Sequence, residues 1–365
     1  MTAPCKAPHG LETAKLVCKT VKVLVDLDKI TYLCRRKDNK KKKAMKRMRM
    51  MAAALTLMAT AVAYGQSKVY MTKEITPEAL VKIYKALGRE ANGRVAVKIS
   101  TGEAGGHNYL KPTLIRQLVE TVNGTIVECN TAYGGSRQDP KKHWETIHEH
   151  GFDSIFAVDL MDEFGQIRIP VKDQKHLKYD IVGEHLANYD FMINLAHFKG
   201  HAMGGFGGVL KNASIGVAST AGKCYIHTAG KTDDFKLAWG PDYVAAGKTQ
   251  DSFLESMAAA AQAVHNYFNG KVIYINVMNN LSVDCDCDSH PADPKMKDVG
   301  ILASLDPVAL DKACLDLVFN HSDTTADDAK PLQQRINRQH GTYIVDYAEQ
   351  IGLGSMKYEL ISIDK

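Results

Sequence analysis

The sequence predicts an α/β protein: a mostly parallel sheet with flanking helices, built from Rossmann-like βαβ units. Three observations predict it. Short apolar runs rich in β-branched residues alternate with segments of helical spacing. The gaps between them are short. Several strand-like runs lead straight into loops rich in glycine and histidine.

Taken in order, residues 77–87 read as a helix, with Thr76 as its N-cap, Pro77 in its first turn and Gly88 as its stop. Residues 94–100 alternate and read as a strand, 112–122 as a helix, 125–129 as a strand, 141–150 as a helix and 154–160 as a third strand. Residues 189–195 form another strand that runs into His197-Phe198-Lys199-Gly200-His201. A long Ala-rich helix follows at 249–268, then strands at 271–277 and 298–304. A helix with proline in its first turn occupies 307–318, followed by two short helices and a last strand at 358–363. There is no internal repeat and no low-complexity stretch.

The chain has 365 residues, 45% hydrophobic and 24% charged, enough for one large or two ordinary domains with a real core. Its formal net charge is +5, but residues 1–66 hold 15 Lys and Arg against 4 Asp and Glu. The remainder holds 31 basic and 37 acidic residues, so the body is mildly acidic. A nucleic-acid partner is not expected, because such a body carries no overall basic excess.

Residues 45–49 (MKRMR) are basic, 50–63 are apolar and uncharged, and Ala61-Val62-Ala63 provides a cleavage-type ending. These are the parts of a secretory signal, and the apolar run is too short to span a bilayer. The expected organisation is a signal peptide at 45–65 starting at Met45, a secreted body at 66–365, and a misassigned or disordered leader at 1–44. That places the body in the periplasm or outside a bacterial cell, without a stable membrane anchor after cleavage. The sequence leaves the oligomeric state undetermined. Cys129, Cys224, Cys285, Cys287 and Cys314 lie in the body. Five is an odd number, so at least one is free, metal-bound or paired between chains.

Residues 197–227 read HFKGHAMGGFGGVLKNASIGVASTAGKCYIH. Gly200, Gly204, Gly205, Gly207 and Gly208 allow close backbone approach to a ligand. Lys211 and Asn212 follow at a predicted helix start, where free N–H groups favour an anion. The run does not fit a nucleotide P-loop. His197, His201 and His227 can bind metal or move protons, and the segment lies beyond the carboxyl end of a strand, where α/β proteins place ligands. The competing reading is a glycine-rich turn whose histidines are satisfied by backbone.

Residues 283–290 read VDCDCDSH. As an extended segment it would put Cys285 and Cys287 on one face and Asp284, Asp286 and Asp288 on the other. The thiolates with His290 suit zinc or iron, and the carboxylates suit calcium or magnesium. A structural disulfide is the alternative, either Cys285–Cys287, at about 6.6 Å between Cα atoms if extended, or a pairing with Cys224 or Cys314; free inert thiols are the third reading. The loop at 101–111 carries Glu103, His107 and Lys111, and the loop at 130–137 carries Tyr133 and Arg137. Both follow strands and face the expected site. His143, His148 and His150 are expected at the surface of their helix. No G-x-S-x-G, H-E-x-x-H or post-strand G-x-G-x-x-G is present.

The stretches 197–223, 283–318 and 101–112 together resemble the family called domain of unknown function 362, the uncharacterised iron–sulfur centre proteins, over about residues 93–320. Many relatives carry a ferredoxin insert with C-x-x-C-x-x-C runs after the Gly/Lys segment; this chain has none, so no ferredoxin-type cluster is expected. Many also have Cys-Asp-Cys-Cys where this chain has Cys287-Asp288. The spacing of His201, Lys211 and His227 is more remotely similar to nickel-pincer lactate racemase. That likeness implies an acid/base role for His201, cofactor attachment at Lys211 and metal ligation by His227.

The sequence therefore predicts a metal-dependent or redox-site protein acting on a small anionic substrate. His201, Lys211 and His107 are the catalytic candidates. Gly204, Gly205, Gly207, Gly208, Asn212, Lys111 and Arg137 are the ligand-binding candidates. His227, Cys285, Cys287, His290 and Asp288 are the candidates for a metal of undetermined identity. A periplasmic binding protein without chemistry and a structural secreted domain with a Cys-x-Cys disulfide are the rivals.

Overall fold

The computed structural model describes residues 66–240 and 249–364. The expected leader and signal peptide lie outside these residues. The fold is α/β with a mostly parallel sheet, as the alternation of elements predicts. The N-terminal half contains β1 (Ser67–Thr72), α1 (Pro77–Ala86), β2 (Val95–Lys98), α2 (Pro112–Thr121), β3 (Gly124–Glu128), α3 (Pro140–Glu149) and β4 (Val158–Leu160). A small hairpin follows, β5 (Gln166–Pro170) with β6 (Tyr179–Gly183), and then β7 (Phe191–His197). A second hairpin, β8 (Lys199–His201) with β9 (Gly205–Gly207), leads into α4 (Val209–Ser214), α5 (Thr220–His227) and α6 (Phe235–Ala238). The C-terminal part contains α7 (Gln250–Tyr267), β10 (Val272–Met278), β11 (Gly300–Ser304), α8 (Pro307–Phe319), α9 (Lys330–Arg338), α10 (Tyr343–Gln350) and β12 (Tyr358–Ser362).

The main sheet has the order β12-β1-β11-β10-β7-β2-β3-β4. All neighbouring pairs are parallel except those of β11, which runs antiparallel to β1 and β10. Alternate side chains of the central strands enter two separate cores. Val95, Val97, Ile273, Ile275 and Val277 pack with α1, α2 and α3 on one face. Ala96, Met192, Val272 and Tyr274 pack with α7, α8 and α10 on the other. Both faces are covered, which is why these strands read as nearly continuous apolar runs. Each fully buried aliphatic side chain contributes about 1.5–3 kcal/mol.

The helix ends follow their local signals. Thr76 Oγ1 accepts from Ala79 N–H at 3.1 Å, with Pro77 in the first turn. Thr249 and Ser252 form a reciprocal cap on α7, whose alanines allow it to lie close to α4 and α10. The strand expected at 154–160 is shorter, because 154–157 are taken up by a turn and bends after α3. β1, which lies between β12 and β11, and the two hairpins are absent from the elements expected from sequence. His143 corrects the surface expectation for α3: it is fully buried and bonds Asn130 Oδ1 at 3.1 Å. Burial drives its pKa down to about 3, so the ring is neutral and donates from Nδ1. His150 is also drawn inward, stacked on Tyr109 and bonded to the Thr101 carbonyl at 2.7 Å. His148 remains exposed.

Candidate functional site

From β2 the chain steps outward to β3 and β4, then returns to place β7 on the other side of β2. A crevice opens beyond the carboxyl ends of strands at such a reversal. Here it becomes a cavity of about 450 Å³ whose lining includes Lys98, Glu128 and His197, the end residues of β2, β3 and β7.

A paired charge lattice forms one wall. Lys98 Nζ donates to Glu128 Oε2 at 2.8 Å, and Arg137 Nη1 donates to Glu128 Oε1 at 3.0 Å. Arg137 also donates to the Tyr133 hydroxyl at 3.1 Å and faces Glu103 at 3.5 Å. Burial alone would raise the Glu128 carboxyl, but Lys98 and Arg137 outweigh it and bring the pKa to about 2. A second bridge lies at Asp286. Its carboxylate accepts from Lys199 at 2.6 Å and pairs with His197 Nδ1 at 2.8 Å, while His197 Nε2 meets the Asn279 carbonyl at 2.6 Å. These partners hold Asp286 far below the usual carboxylate range despite its burial.

Lys211 projects from α4 into the same cavity. Burial lowers it first; Lys199, Arg137 and Lys98 lower it further, and Asp286 only partly opposes them, leaving it at about 7. Its helix is held by a polar clamp. Asn194 Nδ2 donates to the Val209 carbonyl at 2.9 Å, and Asn212 Nδ2 donates to Asn194 Oδ1 at 2.7 Å and to the Lys98 carbonyl at 3.0 Å. Asp311, from α8, accepts the Val209 and Leu210 N–H groups, each at 3.0 Å. This corrects the expectation that the helix start holds an anionic ligand: a carboxylate of the protein already takes those N–H groups. Burial raises Asp311 to about 6, with the hydrogen bonds opposing.

The glycines divide in the same way. Gly207 and Gly208 line the cavity. A side chain at Gly208 would collide with Asp311, whereas one at Gly207 would make only ordinary contacts with Lys199 and Lys211. Gly204 and Gly205 do not line the cavity. Gly205 has φ +81° and packs on Gly341 and the Ile336 carbonyl, so it serves chain packing rather than ligand approach.

Backbone groups engage Nδ1 of two of the three cavity histidines. His201 Nδ1 accepts from Gly204 N–H at 2.8 Å and Met203 N–H at 3.2 Å, which places the ring proton on Nε2. Burial first, then Lys211, His227 and Lys199, push it well below the imidazole range, so it is neutral. His227 Nδ1 donates to the Lys223 carbonyl at 2.7 Å. Its ring stacks on Phe253 at 4.7 Å.

The Cys-Asp-Cys segment is a turn, not an extended run. Asp288 N–H donates to the Cys285 carbonyl at 3.0 Å, the two cysteine Cα atoms are 5.2 Å apart, and their sulfurs are joined. A turn shortens the distance that an extended chain would impose. The alternation of faces is lost with it: Asp286 is buried against Lys199, and Asp288 and His290 are exposed. Among the described residues, His201, Cys285 and Cys287 form the group that could hold a metal ion, with one ligand atom from each within 4.8 Å of the others. Asp288 and His290 are outside it, and His227 lies in the cavity wall instead. By donor type the group suits zinc. With its sulfurs bonded to each other it offers no thiolate, and the His201 Nδ1 lone pair is already engaged. Cys129, Cys224 and Cys314 are free and buried, and Cys129 donates to the Val217 carbonyl at 3.2 Å.

The structure thus brings together Lys211, His201, His227, Asn212, Arg137, Gly207, Gly208 and Cys287. His107 and Lys111 lie outside the cavity. His107 is exposed, 3.9 Å from Asp293, and Lys111 stands over the Tyr109 ring at 3.6 Å. Sequence reasoning missed Lys98, Glu128 and Lys223 as members of the cavity lining. The available signal was a charged residue closing each of two buried, apolar strands.

Comparison with known proteins adds the following. The family model described as "Domain of unknown function (DUF362)" matches residues 95–316. The lactate racemase apoprotein from Thermoanaerobacterium thermosaccharolyticum is 15% identical, with the match covering 58% of this chain and 50% of that one at a TM-score of 0.35. A crystallised protein from Thermotoga maritima is 11% identical over 79% of this chain and 61% of that one, at a TM-score of 0.39. The matches thus span only about half to three-fifths of those two structures. No curated protein matches the chain.

Proposed function

The chain belongs to the domain of unknown function 362 family, and on that footing we propose that it binds a small organic anion in the cavity and moves a proton on it. The observation that carries this reading is the charge of the lining: Lys98, Arg137, Lys199, Lys211 and Lys223 face one lining carboxylate, Glu128. Glu128 is already shared by Lys98 and Arg137, and Asp286 answers Lys199. Lys211 receives no such carboxylate, and an anionic ligand supplies it. Binding returns the proton to Lys211 and relieves the mutual repulsion of the cations.

Proton transfer follows from the two histidines. His227, oriented by its Nδ1 donation to the Lys223 carbonyl, is the group we assign to take a proton from the bound anion. His201 offers its Nε2–H as a hydrogen-bond donor to charge that develops on the ligand. Trp239 and Phe253, in ring contact with His227, limit water around that ring. The adjoining Cys285–Cys287 pair gives the site redox character; if reduced, its two thiolates would suit zinc, and His201 would join them only by giving up its Nδ1 contacts with Met203 and Gly204. We also propose that the body acts after export, on the strength of residues 45–63. N-terminal sequencing of the exported protein checks this, and retention of residues 1–44 contradicts it.

Calorimetric titration with oxalate at pH 6 tests the main reading. Saturable binding that is lost in Lys211→Met is expected, and no heat with oxalate, sulfate or phosphate contradicts it. For the chemistry, deuterium entry from D2O into a bound 2-hydroxy acid is expected in the wild type. His227→Gln is expected to abolish it while binding persists. Metal analysis alongside a free-thiol count decides between zinc and the bridge.

A further inference from the structure

Cys285 and Cys287 differ in their access to the cavity. Cys287 lines it, whereas Cys285 is only 4% exposed. The turn also orients a donor toward the buried sulfur: Cys287 N–H reaches Cys285 Sγ at 3.3 Å. A His201 ring nitrogen lies within 4.8 Å of both sulfurs, and the ring is neutral, with its proton on Nε2. Lys199 and Lys211 also line the cavity. A bridge with one sulfur open to a cationic cavity and the other shielded and hydrogen-bonded has a defined direction of attack.

We propose that the Cys285–Cys287 bridge is a thiol–disulfide exchange centre for a small thiol that carries a carboxylate. The thiolate attacks Cys287 Sγ from the cavity. A sulfur–sulfur bond forms between the incoming thiol and Cys287 while the Cys285–Cys287 bond breaks and its electron pair goes to Cys285 Sγ. The Cys287 N–H holds the displaced Cys285 thiolate, which takes up the proton that the incoming thiol gave up. A second molecule of the thiol releases Cys287 by the same exchange, so two thiols are oxidised to their disulfide and the protein pair is reduced. The low-molecular-weight disulfide restores the bridge by the reverse steps. The carboxylate preference rests on the anion-binding reading given above; the exchange at Cys287 does not.

The full-length oxidised protein is treated with mercaptoacetate and, separately, with cysteamine at pH 7. Each rate is divided by that of the same thiol with hydroxyethyl disulfide, which removes intrinsic thiol reactivity. At least a tenfold corrected preference for mercaptoacetate is expected, falling to near unity in Lys211→Met. Cys285→Ser, treated with dithiodiglycolate (the disulfide of mercaptoacetate), is expected to release one mercaptoacetate and yield a stable mercaptoacetate adduct mapped by peptide mass to Cys287. In the wild type, alkylation during exchange is expected to label Cys285 first, which serves if the serine variant does not fold. Failure of both thiols to open the bridge overturns the exchange centre. Native protein with one zinc per chain on two thiolates overturns it too. Equal corrected rates for the two thiols, with the adduct still on Cys287, overturn the anion reading and leave exchange standing.

Discussion

Lys98 and Lys211 are two cavity lysines with opposite circumstances. Lys98, at the end of β2, is neutralised by a carboxylate from the neighbouring strand, 2.8 Å away. Lys211, on α4, faces Lys199, Arg137 and Lys98, and the opposing pull of Asp286 does not prevent it from falling to about 7. The first arrangement satisfies itself and supports the fold. In the second, the proposed anionic ligand supplies the missing counter-charge. Buried charge marks a site when it is left unbalanced, and marks architecture when it is balanced.

The largest expected effect comes from breaking the balanced side. Glu128→Gln leaves Lys98 and Arg137 buried without their shared carboxylate, a loss of about 3–5 kcal/mol at pH 7 in urea denaturation. The sign with pH is fixed by the lowered carboxyl. Its contribution is complete above the unfolded value near 4.5 and is lost as pH falls toward 2. The difference between variant and wild type should therefore shrink over that interval.

Lys211→Met should do the opposite. The unfolded chain holds the lysine proton up to about 10.5, whereas the folded one gives it up near 7. Native stability from this group therefore rises between those values, and the penalty is greatest below 7. The variant should be more stable than wild type at pH 6, by roughly 1–3 kcal/mol, and show little gain above pH 10. Oxalate stays fully ionised from pH 6 to 8.5, so its affinity reads the protonated fraction of Lys211. A fall of about thirtyfold over that range is expected by calorimetry, and a flat profile would remove Lys211 from the binding step. His107→Ala and Lys111→Ala should be the mildest, each within about twofold in oxalate affinity, because both side chains lie outside the cavity.

Much of the scaffold was legible because two-sided burial writes itself into apolar runs such as 94–100 and 271–277. The cluster of His201, Lys211 and His227 was legible because one continuous segment carries all three past the end of β7. Other features depend on distant partners. Glu128 pairs with Lys98 and Arg137 across strand ends, and the Asp311 carboxylate comes from a helix about a hundred residues beyond the one it caps. No spacing rule announces either contact. The Cys-Asp-Cys segment misled in a different way, because period-two alternation assigns faces only to extended chain, and these residues turn. His107 misled because a glycine loop after a strand can project sideways as well as over the crevice.

The grip of Asp311 on residues 209 and 210 also sets an order of events in the life of the chain. The lysine helix has no finished N-terminus until α8 has been synthesised and docked. A ribosome-bound or truncated product ending near residue 300 therefore carries every cavity cation yet cannot present Lys211 correctly. Ligand binding should accordingly appear all at once, late in folding, and not grow in step with chain length.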